Sequence, residues 1–254
     1  MISLGLDIGS RNTKIAVYDS VDGSVVWSDY TVTEINPIHS VNRLFANVPQ
    51  AICLESITLR AVTGYGRHLY DVNYKKYSEI SCHTAGVQNF FPDCRTIIDI
   101  GGQDSKVISI DAKAKIRDFL MNDKCAAGTG RFLEMTALRL NCTVDDLSEI
   151  AKSASTIPHL NSTCVVFAES EIIGLMALNE SPANIVRAVD ISIARRIVSQ
   201  MASLDCVPPM VFTGGVSLNK DLVKCLEMEL NTELYCPPDP EITGALGAAI
   251  LVTK

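Results

Sequence analysis

The sequence of 254 residues has no long apolar segment, no run of basic residues and no closely spaced cysteine pair. No apolar run reaches the ~18 residues that a membrane-spanning helix needs, so we expect no membrane partner. Without a basic run, and with a formal net charge of -7, the chain has little to neutralise phosphates, so we expect no nucleic-acid partner. Asp7 interrupts the apolar start of the chain where an export signal would continue, which favours a cytoplasmic protein.

The cysteines do not form a disulfide pattern. There are nine, an odd number, and no CxxC or CxC spacing occurs among them. A disulfide framework is therefore not expected. Cys53, Cys142, Cys206 and Cys225 are predicted to be small buried side chains.

The pattern of apolar runs predicts an α/β protein with an internal repeat. Residues 2–8 and 13–18 are predicted to form a hairpin around the turn 9–12, with a third strand over 25–32. The pattern restarts near residue 95, with strands over 95–100, 105–110 and 114–121. Asp7-Ile8-Gly9-Ser10 resembles Asp99-Ile100-Gly101-Gly102, and each joins two apolar strands.

The second half of the chain is mainly helical. Apolar residues recur at helical spacing near 130–140, 143–152, 165–178 and 182–204. Thr129 is a predicted N-cap for the first of these helices. Thr143 and Asp146 have the spacing of a capping box for the second.

Three glycine-containing segments are candidates for nucleotide binding. In the first, a glycine lets backbone N–H groups approach an anion, a lysine can hold a terminal phosphate, and Asp7 could bind Mg²⁺ through water. The candidate residues of this segment are Asp7, Gly9, Ser10, Arg11, Asn12, Thr13 and Lys14. Taken alone, such a hairpin can also be only a tight turn.

The second and third segments are similar glycine-containing candidates further along the chain. The second has an acid at a strand end followed by glycines: Asp99, Gly101, Gly102, Gln103 and Asp104. In the third, a glycine pair lets a flat base or ribose lie close to the backbone, and its candidate residues are Gly214, Gly215 and Asn219. Three such segments in this order are much more specific than any one of them.

Residues 121–134 place Cys125 directly before a turn that contains Gly128 and Gly130, and that turn opens onto a helix. A helix N-terminus favours an anion. From the residues alone, the anion is either a phosphate or a group that Cys125 holds. Gly128 is therefore a further candidate residue for nucleotide binding.

The order of the three segments resembles the phosphate-1, phosphate-2 and adenosine segments of the actin, sugar kinase and Hsp70 ATPase superfamily. Within it, the chain resembles the ATPase activators of 2-hydroxyacyl-CoA dehydratases and of the benzoyl-CoA reductase type. Six stretches carry this resemblance: residues 63–67, 79–83, 99–104, 122–130, 162–171 and 244–249. It implies an actin-like (ribonuclease H-like) fold of two subdomains, with ATP and Mg²⁺ in a cleft between them and hinge motion coupled to hydrolysis. We expect subdomain I at 1–92 plus 241–254, and subdomain II at 93–240.

The same resemblance implies a homodimer bridged by one [4Fe–4S] cluster, with Cys125 and Cys164 as the ligands from each chain. Ser162 and Thr163 resemble a cap for a helix that follows Cys164. A ferredoxin or flavodoxin would be the electron donor, and an iron–sulfur enzyme such as a dehydratase, a reductase or a double-cubane cluster protein the acceptor.

Two further residues have a role by the same resemblance. Gln103 and Asp104 would orient the attacking water, or alternatively only bond within the turn. Arg11 and Asn12 depart from the family, which has small or hydroxyl residues there.

Two other functions remain open on the sequence. A sugar or small-molecule kinase of the same superfamily would explain the three nucleotide segments equally well, although 254 residues leave little room for a substrate pocket. A metal-free regulatory nucleotide-binding module is the other alternative.

Overall fold

A computed structural model describes residues 1–70, 73–160 and 164–254. The chain divides into two compact units. Unit 1 comprises Met1–Cys94, Ala112–Ile116 and Pro237–Lys254, and unit 2 comprises Arg95–Asp111 and Arg117–Cys236. Among the described residues, no helix combines the length and the apolar character needed to cross a bilayer.

The chain contains ten strands and eight α-helices in the described residues. The strands are β1 (Ile2–Ile8), β2 (Asn12–Asp19), β3 (Ser24–Val32), β4 (Leu59–Thr63), β5 (Lys75–Lys76), β6 (Thr96–Ile100), β7 (Ser105–Ile110), β8 (Ile116–Asn122), β9 (Met210–Thr213) and β10 (Leu234–Tyr235). The helices are α1 (Pro37–Asn47), α2 (Glu79–Phe90), α3 (Gly130–Leu140), α4 (Val144–Ala151), α5 (Val165–Ala177), α6 (Pro182–Met201), α7 (Lys220–Leu230) and α8 (Thr243–Leu251).

Unit 1 is a five-stranded sheet in the order β3-β2-β1-β4-β5 with helices on both faces. β1 is antiparallel to β2 and parallel to β4. On one face, Leu4 and Leu6 of β1 form a core with Val41 and Leu44 of α1. On the other face α8 packs so closely that a Cβ on Gly5 would lie 1.9 Å from the Ala245 carbonyl oxygen.

Unit 2 has the same plan. Its sheet runs β8-β7-β6-β9-β10, with β6 antiparallel to β7 and parallel to β9. Helices α3 to α7 surround it, and a core that includes Phe132, Ile193 and Phe212 joins them to the sheet. The two sheets therefore have corresponding strand orders, which confirms the predicted internal repeat.

The helix starts agree with the sequence signals. Thr129 Oγ1 accepts from Arg131 N–H at 3.3 Å at the start of α3. At the start of α4, the Thr143 N–H donates to Asp146 Oδ2 at 2.9 Å, which confirms the capping box. The two-residue strands β5 and β10 were not predicted, because two residues carry no readable alternation.

Candidate functional site: two aspartate–lysine hairpins and a cysteine turn

The first candidate loop joins β1 to β2 in unit 1. Asp7 is buried, and Lys14, opposite it in the hairpin, donates from Nζ to Asp7 Oδ2 at 2.9 Å. The Gly9 N–H closes the turn on the Asn12 carbonyl at 3.1 Å. Ser10 is exposed at the tip. The loop thus presents a carboxylate that a lysine already neutralises, beneath a polar tip.

Thr13 is bonded inside this loop. The Thr33 hydroxyl donates to the Gly9 carbonyl at 2.8 Å, so its contact of 2.9 Å with Thr13 Oγ1 requires Thr13 to be the donor. The Thr33 N–H also donates to the carbonyl of Arg11, whose side chain is exposed, at 2.8 Å. Thr33, which sequence reasoning missed, therefore fixes the loop shape, and the Thr13 hydroxyl hydrogen is used within the protein.

The second loop joins β6 to β7 in unit 2 and has the same design. Asp99 and Lys106 are buried and opposite each other, and Lys106 Nζ donates to Asp99 Oδ2 at 3.1 Å. Lys106 Nζ also bonds Asp104 Oδ2. The Gly101 N–H donates to the Asp104 carbonyl at 2.9 Å, while Gln103 is exposed. Of the two predicted catalytic side chains, Asp104 is thus paired with a lysine and Gln103 faces solvent.

Each unit also has a glycine in the left-handed region, directly after the strand that runs parallel to β1 or to β6. Gly64 follows β4 with φ of 91°, and Gly214 follows β9 with φ of 86°. A Cβ on Gly64 would lie 2.4 Å from Asp7 Oδ1, and a Cβ on Gly214 would lie 2.4 Å from the Ile100 carbonyl oxygen. Only glycine allows this approach with that backbone. The pairs Thr63-Gly64 and Thr213-Gly214 are a sequence signal that could have indicated this equivalence.

The third candidate segment continues from Gly214 into a 3₁₀ turn over Gly215–Leu218, in which Gly215 is exposed and which Asn219 follows. Asn219 is the N-cap of α7, and its Oδ1 accepts from the N–H groups of Asp221 and Leu222 at 3.0 and 3.1 Å. Its Nδ2 donates to the Asp190 carboxyl at 3.1 Å. The whole Asn219 amide is thus engaged within unit 2.

Cys125 lies between β8 and a 3₁₀ turn over Ala126–Gly128. Asn122 holds the cysteine backbone on both sides. Its Nδ2 donates to the Cys125 carbonyl at 2.8 Å, and its Oδ1 accepts from the Cys125 N–H at 3.0 Å. Gly128 is buried against Arg196, whose Cδ would lie 3.3 Å from a Cβ at that position.

The turn after Cys125 is bonded directly to the second candidate loop. The Gly130 N–H donates to the Gly101 carbonyl, and the Arg131 N–H donates to the Gly102 carbonyl, both at 2.9 Å. The expectation that these first N–H groups of α3 face an anion is wrong, because loop carbonyls take them. These two backbone hydrogen bonds join the second loop to the turn that follows Cys125.

Cys164 is exposed and directly precedes α5, as predicted. The predicted cap, Ser162-Thr163, lies outside the described residues. Helix α5 packs against α3, and Arg139 Nε donates to Glu169 Oε1 at 2.6 Å between them. The helices that follow the two cysteines are therefore tied to each other.

The remaining cysteines differ from this pair. Burial raises the pKa of both Cys82 and Cys225 to about 12, so both remain thiols near neutral pH. The expectation that Cys53 is buried is wrong, because it lies in an exposed loop where its Sγ donates to Glu55 at 3.5 Å. In the described part of the chain, no three His, Cys, Asp or Glu residues gather in a group that could hold a metal ion.

The paired sheets and their aspartate–glycine hairpins define an actin-like ATPase fold, which confirms the predicted fold class. The chain belongs to the BadF/BadG/BcrA/BcrD ATPase family, whose model matches residues 4–252, and it is therefore an ATPase.

Named relatives cover nearly the whole chain. It is 40% identical over 253 residues to a 2-hydroxyisocaproyl-CoA dehydratase activator of Clostridioides difficile, across 98% of this chain and 94% of that one. It is 39% identical over 254 residues to the activator of lactoyl-CoA dehydratase of Anaerotignum propionicum, across 98% and 96%. A solved structure of the activator of the 2-hydroxyisocaproyl-CoA dehydratase from Clostridium difficile with bound ADPNP matches with a TM-score of 0.92 at 39% identity, across 99% of this chain and 94% of that one.

Proposed function

We propose that this ATPase is an activator that passes a low-potential electron to a partner iron–sulfur enzyme, with a 2-hydroxyacyl-CoA dehydratase as the first candidate for that partner. The names of the two relatives at 39% and 40% identity support the class of partner. The observation that carries the proposal is the pair of bonds from Gly130 and Arg131 to Gly101 and Gly102. A change in the second loop on ATP binding or hydrolysis would pass through these bonds to the turn that follows Cys125.

The residues present fit a [4Fe–4S] cluster shared by two chains. Cys125 is half-buried and Cys164 is exposed, and each directly precedes a helical segment. Such a cluster takes four thiolates, and two chains supply two each. The start of α5 also exposes Val166 and Phe167, an apolar surface that favours a second copy of this chain as the neighbour.

The cluster would supply one-electron transfer. The protein's own contribution is to position the thiols: Asn122 fixes the backbone of Cys125, and the Arg139–Glu169 pair fixes α5 against α3. A reduced ferredoxin or flavodoxin would be the donor. Besides a dehydratase, a benzoyl-CoA reductase-type enzyme or a double-cubane cluster protein would fit the acceptor role.

For the nucleotide, we propose that the loops after β1 and β6 bind the phosphates of ATP and that the segment after β9 binds the adenosine. Lys14 and Lys106 supply positive charge at the two hairpins. Asp7 and Asp99 would hold Mg²⁺ through water, since Mg²⁺ keeps part of its hydration shell. Gln103, exposed beside the paired Asp104, would orient the attacking water.

Anaerobic purification with iron and sulfide analysis tests the cluster. We expect about four irons per two chains, and loss of iron in Cys125→Ser and Cys164→Ser. Cys53→Ser is the matched control, because Cys53 is exposed and lies in the other unit. ATP-dependent reduction of a dehydratase by a reduced ferredoxin or flavodoxin tests the transfer.

The alternatives give different results in the same experiments. A colourless, iron-free protein that phosphorylates a sugar would identify a kinase. An iron-free protein that binds ATP and phosphorylates nothing would identify a regulatory module. The family match favours the activator over both.

A further inference from the structure

Below the proposed adenosine segment lies a buried group of polar side chains from two helices. Asp190 on α6 is fully buried, and Asp221 at the start of α7 is 4% exposed. Arg187 binds Asp221 in a fork, with Nε at 2.7 Å from Oδ2 and Nη2 at 2.6 Å from Oδ1. Asn219 donates to both Asp190 oxygens, at 3.1 and 3.3 Å.

The charges in this group do not balance if both carboxyls are ionised. The guanidinium of Arg187 is committed to Asp221, which leaves only an amide beside Asp190. Two anions against one cation, with both carboxyls buried away from water, is a costly arrangement unless one carboxyl keeps its proton.

Asp190 has few titratable neighbours. Among the described residues these are Arg187 on its own helix and Asp221 and Cys225 on α7. Cys225 is a neutral thiol, because burial raises its pKa to about 12. Helices α3, α4 and α5 also pack on α6, but no charged group from them interacts with Asp190 within the described ranges.

We infer that Asp190 keeps a proton in the folded protein and, through Asn219, positions the segment after β9 that binds the nucleotide. The proton joins Asp190 to the Asp221 carboxylate, which lies within hydrogen-bonding reach. Asp190 in turn orients Asn219 so that Oδ1 caps α7. The claim that Asp190 is protonated is independent of the proposed function. The claim that Asp190 affects nucleotide binding rests on the proposed function.

Burial, followed by the repulsion of Asp221, raises the pKa of Asp190 well above its ordinary value. The direction in which pH changes the stability follows from the number of protons that the folded and unfolded states bind. Between the ordinary carboxyl pKa and the raised one, the folded state holds a proton that the unfolded state has released. The stabilising contribution of the protonated group is therefore complete below the ordinary pKa and is lost as the pH rises through the raised one.

Urea unfolding of anaerobically purified wild type and Asp190→Asn, from pH 5 to pH 8, tests whether Asp190 is protonated in the folded protein. Asparagine keeps a donor for Asp221 and an acceptor for Asn219 but does not titrate. We expect the ratio of the two unfolding constants to shift tenfold per pH unit in favour of the variant while the pH stays below the raised pKa. A ratio that does not vary with pH would show that folded Asp190 is ionised and would overturn the inference.

Binding of MgADP at pH 7 tests whether Asp190 positions the segment after β9. We expect Asp190→Ala to weaken binding about tenfold, because it leaves the buried Asn219 Nδ2 unpaired, and Asp190→Asn to restore it. Asn184→Ala is the matched control on the same helix. Asn184 is 4% exposed and bonds the backbone N–H groups of Ser155 and Thr156, so its loss should lower stability and leave MgADP binding unchanged.

The outcomes separate the two claims. If Asp190→Ala binds MgADP as wild type does, the positioning role is wrong. If Gly215→Val also leaves binding unchanged, the proposed adenosine segment is wrong, whereas the urea result still decides whether Asp190 is protonated.

Discussion

Replacing Asn122 tests how the protein holds the cysteine turn. Its amide makes two hydrogen bonds to the Cys125 backbone, at 2.8 and 3.0 Å. Each of these hydrogen bonds contributes about 1 kcal/mol, so Asn122→Ala removes about 2 kcal/mol of stabilisation from the turn. If the turn must open to release iron, the opening equilibrium rises about 30-fold, since 1.4 kcal/mol is a factor of ten.

Anaerobic iron release to a colorimetric chelator is the assay. Asn122→Asp keeps the acceptor for the Cys125 N–H but loses the donor, so its release rate should fall between wild type and Asn122→Ala. Asn47→Ala is the control, because the Asn47 side chain lies in unit 1, where its Nδ2 donates to Asp29 Oδ2 at 2.9 Å. Iron release from Asn122→Ala at the wild-type rate, in a protein with unchanged circular dichroism, would refute the reasoning.

Three other predictions concern stability and reactivity. Lys106→Met leaves the buried Asp99 without its lysine and should cost about 3–5 kcal/mol in urea unfolding. Gly214→Ala places a Cβ 2.4 Å from a backbone carbonyl at φ of 86°, so little folded protein should be recovered; a wild-type Tm would contradict this. At pH 8 iodoacetamide should modify the exposed Cys53 quickly, while Cys225, with a pKa of about 12, should react only after unfolding, as peptide mass spectrometry can show.

The repeat could be predicted because its signals are local. Each hairpin has an acid at a strand end and a glycine turn, and these residues are adjacent in sequence. The lysine opposite each acid follows from hairpin register, since Lys14 is opposite Asp7 and Lys106 is opposite Asp99.

Other features depend on distant parts of the chain and could not be predicted. The bonds from Gly130 and Arg131 to Gly101 and Gly102 join backbone groups, which carry no side-chain signal. Asn219 was predicted from its position beside a glycine pair, but its amide is committed to Asp190, a residue that no motif singled out.

The close contact between β1 and α8 has a consequence for biosynthesis. Ser3 Oγ donates to the Ala249 carbonyl at 2.8 Å, and Gly5 leaves no space between its backbone and Ala245. The helix that covers β1 is translated some 240 residues after it. One face of the first sheet therefore stays uncovered throughout elongation, while unit 2 has all its strands and helices available before α8 appears. Chaperones that recognise exposed apolar strands should consequently bind the nascent chain at β1 and leave only when α8 docks.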